Sequence, residues 1–500
     1  MNNTIKYISS IMLSSTLFLS SCTDKFEDAN TDTKSPLNVA PKYLLATAQT
    51  TLMNHNMKVD RQGNATAIQA QFLSESSYPS ASIFKFNDGL ENGYMNGYYN
   101  SALTLKKAQD LVDSDLGLSK EEKNGWALIT QTLKTFAFQN ITDAFGPAMY
   151  TEALDLLNVT PGYDSQEVIY KDLLEKLYNV SSNVDTSISF NDSDMISQDI
   201  MYSGDLVKWQ KFANSLLLRL AMRIADVEPT LSQEYFNKAV NENGGVFTSN
   251  EDNAIFQYKD APNGSSWYQE TTIDRFPNLV ASNTIMDIQD ASNDPRRDIY
   301  WRRPERGGLE FGKTTSSYWN YAYVSQNYAG YGTWNWGKAD TPGVYMDYAE
   351  VQFFLSEAVV RGGYTVSGSA KDHYNNAIKA SIEFQAAIVE WSQADIDTAV
   401  TDYLAEPTVN LDNASDKLKQ IGREKWVALF FQGPEAWAEA RRLDSPSMNI
   451  PEGESASDLP VRLLFSDREK IINSNNVTNA ITLLANGGDE YTTKLWWDVN

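Results

Sequence analysis

The chain reads as a mainly α protein, with tetratricopeptide-like helix pairs forming an α-superhelical scaffold and one long irregular, aromatic-rich segment. Three observations predict this. Apolar residues recur at three- and four-residue spacing through most of the chain after Pro41. Capping and stop signals divide that pattern into helix pairs of roughly 30–45 residues, each with large and small apolar residues on facing stripes. From Asn243 to Val344 the composition turns to Gly, Asn, Pro and aromatics, and helical spacing fades. A hundred such residues inside a compact chain point to a functional elaboration rather than a linker. A hydrophobic content of 42% and an aromatic content of 12% can fill a sizeable core.

Residues 1–21 come first. Lys6 gives a small positive start, and Ile8 to Leu19 is an apolar run interrupted by serines. That run suits a signal-peptide core and is too short for a permanent membrane span. Leu19-Ser20-Ser21-Cys22 reads as a lipobox, so Cys22, the only cysteine, is expected to become a lipidated mature N-terminus. An ordinary secretory signal with a cysteine at its boundary is the alternative. Two acyl chains, at roughly 0.8 kcal/mol per buried methylene, hold a protein to a membrane where one would not. Residues 22–40 are charged and polar, with Asp24, Glu27 and Asp28 behind the cysteine, and read as an acidic tether. Residues 41–500 then read as a single domain, with about 243–344 as its irregular insertion, the portion that the family resemblance given below implies to be ligand-facing.

"YLLATAQTTLMNHNM" begins the first helix after Pro41. In "YYNSALTLKKAQDLVDSD", Tyr98, Leu103 or Leu105, Ala108, and Leu111 or Val112 fall near one face. Ser119 and Glu122 form a capping box opening the next helix, whose stripe is Trp126, Ile129, Leu133, Phe136 and Ile141, and Gly146-Pro147 ends it. Ser165 starts "SQEVIYKDLLEKLYNVSSNV". Trp209, Phe212, Leu216, Leu220 and Ile224 are core candidates in the helix after that. Inside the irregular segment, "PNLVASNTIMDIQD" is the main helical stretch. "YMDYAEVQFFLSEAVVRGG", "SAKDHYNNAIKASIEFQAAIVE" and "DKLKQIGREKWVALFFQ" follow, and Gly433-Pro434 separates the last from "PEAWAEARRLD".

The formal net charge is −24; removing residues 1–21, which hold Lys6 and no acid, leaves −25. Such a surface repels nucleic acid and anionic headgroups. The two histidines, His55 and His373, lie far apart, and no zinc, calcium or phosphate-loop motif is readable, so no cofactor and no metal are expected. A glycosidase needs two carboxyls at a set separation, which spacing in a chain of 65 acids does not reveal. The informative stretch is "SYWNYAYVSQNYAGYGTWNWGK", Ser317 to Lys338. Tyr and Trp offer flat apolar faces with polar edges, and sugar rings present C–H groups on one face and hydroxyls at the rim. Trp319, Tyr331, Trp334 and Trp336 are candidate stacking rings there, and Asn335 a candidate hydrogen-bonding group. Trp267 in "WYQ" and Tyr94 in "YMNGYYN" are weaker candidates, the latter at a helix start. A buried mini-core or a protein interface would use the same residues.

Motifs in a particular order complete the reading: "NTDTKSP" at Asn30–Pro36, "FGPAMYTEAL" at Phe145–Leu154, "WQKFANSLLLRLAMRI" at Trp209–Ile224, "DPRRDIY" at Asp294–Tyr300 and "REKWVALFFQGPEAWAEARRLDSP" at Arg423–Pro446. With the lipobox, they make the chain resemble the SusD/RagB-type outer-membrane lipoproteins of Bacteroidetes, in the SusD-like nutrient-binding branch. The resemblance implies four tetratricopeptide-like pairs. It also implies a lipid-anchored protein at the outer membrane, facing the exterior, where acids behind the cysteine resemble an export signal. Such a protein would capture an oligosaccharide, or a peptide in the RagB manner, and pass it to a TonB-dependent SusC-like transporter without catalysis. A structural lid with no ligand affinity and a secreted glycoside hydrolase are the alternatives. Arg296, Arg297, Arg441 and Arg442 are expected to pair with acids or helix carbonyls, Glu439 with Arg442 among them. Sugar contacts are implied in two regions, about Asn87–Asn100 and Trp267–Trp336.

Overall fold

Helices follow one another along most of the computed structural model, which describes residues 39–59, 64–86, 88–190, 198–260, 263–268, 279–324, 339–485 and 488–499. The first group is α1 (Pro41–Asn56), α2 (Asp88–Ser114), α3 (Lys120–Phe145), α4 (Gln166–Asn183), α5 (Leu206–Arg223) and α6 (Pro229–Asn241). After the irregular segment, which contains α7 (Asn283–Ala291), come α8 (Tyr348–Arg361), α9 (Ala370–Ile388), α10 (Gln393–Ala405), α11 (Lys417–Ala428), α12 (Gly433–Leu443), α13 (Asp467–Ile472) and α14 (Ser474–Thr482). Each helix of the first group packs on the next, as do α8 on α9, α9 on α10 and α11 on α12. This is the mainly helical scaffold that the spacing predicts.

The local causes are those read from the sequence. Ser119 and Glu122 cap α3 reciprocally, and Gly146, at φ +80°, ends it. Ser165 caps α4 by accepting from the Val168 amide. The stripes are buried: Tyr98, Leu105, Ala108 and Val112 in α2, and Trp209, Phe212, Leu216 and Leu220 in α5, with Ile224 just beyond it. Leu111 points outward instead of Val112.

Three expectations change. Leu279–Ala281 is a strand (β3), not the start of a helix; it pairs with β1 (Leu73–Glu75), and Ser282 caps α7 behind it. Gly343–Met346 (β6) pairs with β2 (Ala254–Phe256), so "YMD" precedes α8 and Asp347 is the cap. "YMNGYYN" lies inside α2, not at a helix start, because α2 already begins at Asp88.

Charge is buried where the two halves of the scaffold meet. Arg219 of α5 holds Glu350 of α8 at 2.6 Å, and Arg223 holds Glu435 of α12 at 2.6 Å and also pairs with Glu439. Arg442 of α12 reaches Glu357 of α8 at 2.6 Å and Glu439 at 2.7 Å, and Lys425 of α11 pairs with the same two acids. Burial pushes the Glu357 carboxyl upward, but Arg442 and Lys425 outweigh it and hold it at about 2. Arg296 holds Asp294 at 2.7 Å and Glu424 at 2.8 Å. The arginines expected to serve the scaffold do so.

Candidate functional site

The irregular segment folds back on the β1–β3 pair. The Ala281 amide donates to the Ala322 carbonyl and the Leu309 amide to the Ala281 carbonyl, both within 2.9 Å. Trp301 and Arg302 (β4) pair with Tyr323 and Val324 (β5). Two glycines permit the closeness. A Cβ at Gly308 would lie 2.4 Å from the Ser282 carbonyl, and one at Gly312, φ +81°, would lie 2.6 Å from Pro451. Beneath, Gln71 accepts from the Thr284 hydroxyl and the Asn449 amide and donates to the Asn449 carbonyl. These bonds tie three sequence-distant segments into one base.

Two loops rise from that base. The first follows β1. The buried Glu75 carboxylate accepts from the Ala81 and Ser82 amides at 2.8 and 3.0 Å, closing residues 76–80 into a tight projection. Tyr78 sits at its tip with φ +57° and is 70% exposed. The second loop runs from Gly312 to Tyr321. The Thr315 amide donates to the Ser76 carbonyl at 2.7 Å, so the loops are joined edge to edge. Just beyond the joint, the Tyr318 and Trp319 rings lie 4.0 Å apart at 34°, with Trp319 45% exposed and Tyr318 half-buried. The result is an aromatic rim in which Tyr318 and Trp319 are paired, Asn320 is exposed beside them, and Tyr78 is exposed on the adjoining loop.

The sequence-predicted residues divide. Trp319 is on this rim. Tyr94 is not: it is 1% exposed, packed by His55, Tyr98 and Phe145, and burial pushes its hydroxyl pKa well up. Trp267 is 5% exposed and packs on Phe430 and Phe431 at 5.9 and 5.3 Å. Both are corrections: a ring enclosed on all sides has no face for a sugar, and helix and core packing use the same amphipathic rings. Tyr323 is also buried, under Arg302. Tyr331, Trp334, Asn335 and Trp336, and the lipidation residue Cys22, lie outside the described residues. Tyr78 was missed. Its signal in the sequence is a lone ring in "SESSYPSAS", a run of turn formers with no helical spacing.

No group of His, Cys, Asp or Glu among the described residues could hold a metal ion. His373 bonds to Gln352 and the Ser367 carbonyl, and His55 packs against Tyr98 at 4.6 Å. What the rim can do chemically is stack: flat faces with polar edges, beside an exposed amide and backbone.

Comparison with known proteins adds the following. A family model described as starch-binding and associating with the outer membrane matches residues 33–466. A solved structure described as a chitin-binding protein superposes with a TM-score of 0.76 at 25% identity, over 92% of this chain and 100% of that one. A chitin-binding SusD homolog from Flavobacterium johnsoniae gives a TM-score of 0.73 at 22% identity, over 91% and 99% of the two chains. A SusD-like protein from Bacteroides thetaiotaomicron gives 0.76 at 21%, over 91% and 99%. The last two share the fold. No curated protein matches.

Proposed function

The chain belongs to the SusD-like family, described as starch-binding and associating with the outer membrane, and from that premise we propose that it is a cell-surface lipoprotein that captures glycan oligosaccharides and delivers them to a TonB-dependent SusC-like transporter. In this reading Cys22 carries the lipid, residues 22–40 are the tether, and the domain from residue 41 faces the exterior. It binds its cargo and leaves it uncleaved.

The rim of Tyr78, Tyr318 and Trp319 supports this best. One sugar face covers about 40–60 Å² of a ring, which at about 25 cal/mol per Å² is worth roughly 1–1.5 kcal/mol. Two or three such platforms with a few rim hydrogen bonds, less the cost of ordering the ligand, lead to affinities of roughly 10 µM to 1 mM. That weakness suits a protein that must release its cargo into a channel. Trp334 and Trp336, with Tyr331 and Asn335, are proposed to extend the platform. The chitin-binding description of a structural neighbour makes chito-oligosaccharides the first ligands to titrate, with malto-oligosaccharides second.

Calorimetry with each series tests the reading, with chromatography of the recovered sugar. Binding in the stated range with intact sugar is expected, and Trp334→Ala and Trp336→Ala should each weaken it without unfolding the chain. Shortened products would make the protein a hydrolase. Peptide binding in place of sugar would make it a RagB-type lid. Radiolabelled fatty acid entering Cys22→Ala as well as the parent chain would remove the lipid anchor.

A further inference from the structure

A short turn beside the aromatic rim concentrates positive charge. Arg302, Arg303 and Arg306 follow closely in "RRPER", in a chain whose formal net charge is −24. Glu305 is the acid among them, and it is exposed. The turn adjoins the strand that leaves the rim. Arg302 pairs with Tyr323 in the β4–β5 ladder, and the Ala322 amide donates to the Gly307 carbonyl at 2.9 Å. Asn320 and Trp319 stand two and three residues before Ala322. The Trp319 backbone is therefore within about 11 Å of that joint, a gap that a short oligosaccharide spans.

The turn is held in place by its own bonds. Residues Pro304–Arg306 form a 3-10 turn, in which the Arg306 amide donates to the Arg303 carbonyl and the Gly307 amide to the Pro304 carbonyl, both at 3.0 Å. Arg297, paired with Asp290, donates from Nη2 to the Pro304 carbonyl at 3.0 Å. Arg303 takes the left-handed conformation, φ +56° and ψ +49°. That is uncommon for a long side chain, and backbone strain of this kind collects at sites that clamp ligands. The Arg302 guanidinium lies 5.6 Å from the centre of the Tyr323 ring, which steadies a cation on its face.

Other arginines of this chain are occupied by acids. Arg219, Arg223, Arg296, Arg297 and Arg442 each hold one. Asp298, just before the turn, lies 3.5 Å from Arg297. Among the described residues, Arg303 and Arg306 form no ion pair and no side-chain hydrogen bond. Arg303 is half-buried and Arg306 exposed, so both guanidinium groups are open to a ligand.

We propose that the Arg302–Arg306 turn is an anionic subsite beside the rim, so that the glycan bound here carries a carboxylate or sulfate group within a few sugar units of the ring that stacks on Trp319. The guanidinium fork offers parallel N–H donors that match paired oxyanion oxygens. A chain this acidic repels such a ligand at long range, so a local excess of cations is what its capture requires. The proposal rests on the glycan reading of the rim and adds the charge of the substrate to it. The anion has two sources, a uronic acid or a sulfate ester.

Calorimetric titration of the detergent-solubilised full chain separates them. Tetragalacturonate and its methyl ester share a skeleton with and without carboxylates; 6-O-sulfated chitotetraose and chitotetraose do the same for sulfate. At least one charged sugar should bind about tenfold or more tighter than its uncharged counterpart, as a charge-assisted pair gives. The double variant Arg303→Gln/Arg306→Gln should keep the melting temperature, bring that preference down to about twofold or less, and leave the uncharged sugar's affinity unchanged. Trp319→Ala should weaken both members of a pair alike. Charged sugars that bind no better than uncharged ones would overturn the proposal and leave the glycan reading standing. A preference unchanged in the double variant would also overturn it. No binding of any of the four sugars would end the glycan reading together with it.

Discussion

The helix junction and the aromatic rim treat polar chemistry in opposite ways. At the junction, Arg219, Arg223, Lys425 and Arg442 lie among Glu350, Glu357, Glu435 and Glu439, almost wholly out of water. Each charge there needs a partner, and several of the partners sit on helices far apart in sequence. That requirement fixes which helix faces which, and removing one partner is far costlier than the net worth of the pair. At the rim, Tyr78 and Trp319 are exposed, on loops held from below by Glu75, Gln71 and a single edge bond to Ser76. Changing a rim ring removes less buried surface than changing a core ring. One region specifies the fold, and the other is free to vary with the ligand.

The strongest way to break the contrast is Arg442→Ala. It leaves Glu357 and Glu439 facing fewer cations in a dry interior, and should cost about 3–5 kcal/mol in urea unfolding. A loss below about 1 kcal/mol would mean the junction behaves like a surface. Acid probes the same region. Glu357 is held at about 2 against an ordinary 4.5. Its contribution is therefore complete above pH 4.5 and is lost as the pH falls from there toward 2. Asp347 works in reverse. Burial pushes it from 3.8 to about 6, so its ionisation weakens the fold as the pH rises through that window. The melting temperature should climb a little as the pH drops below about 6 and fall steeply below about 4.5. Burial also pushes the Glu350 carboxyl up, to about 8, so Asp347→Asn should lessen the climb without removing it and keep the fall; a flat profile would contradict these assignments.

Two tryptophans sharpen the comparison within one residue type. Trp267→Ala empties a site against Phe430 and Phe431 and should cost about 3 kcal/mol of stability. Trp319→Ala should change stability by less than about 0.5 kcal/mol and weaken oligosaccharide binding about five- to tenfold. Paired urea unfolding and glycan titration on both variants check this; a large stability loss in Trp319→Ala with unchanged binding would make the rim part of the core. The smallest effect belongs to Lys313→Ala, which breaks the exposed pair with Glu452 beside the rim. No measurable shift in melting temperature is expected, because water replaces such a pair readily.

The helices were legible for a local reason. Ser119 with Glu122, or Trp209 with Phe212 and Leu216, act within a turn or two, and that distance is encoded in consecutive residues. Helices α6 and α10 escaped notice because each buries only three residues, too few for a clear stripe. Strand β3 and the Tyr345–Met346 end of β6 were read as helix because their partners, Leu73–Glu75 and Ala254–Phe256, are remote in sequence. The site was legible only as a kind of chemistry. A region rich in Tyr and Trp between Asn243 and Val344 marked where rings might meet a ligand, and Trp319 is exposed there. Local pattern marks Tyr78 as a ring among turn formers, but that Tyr94 is sealed against His55 and Tyr98 while Tyr78 stands in solvent rests on how distant segments pack. The sequence by itself determined where the capped helices α3 and α4 begin, which faces are apolar in the strongly striped helices and which way the net charge leans, since caps and the 3.6-residue period act between neighbours. The tertiary structure alone decided which rings are open and which acids face which arginines, because burial and pairing depend on chain segments that no local pattern brings together.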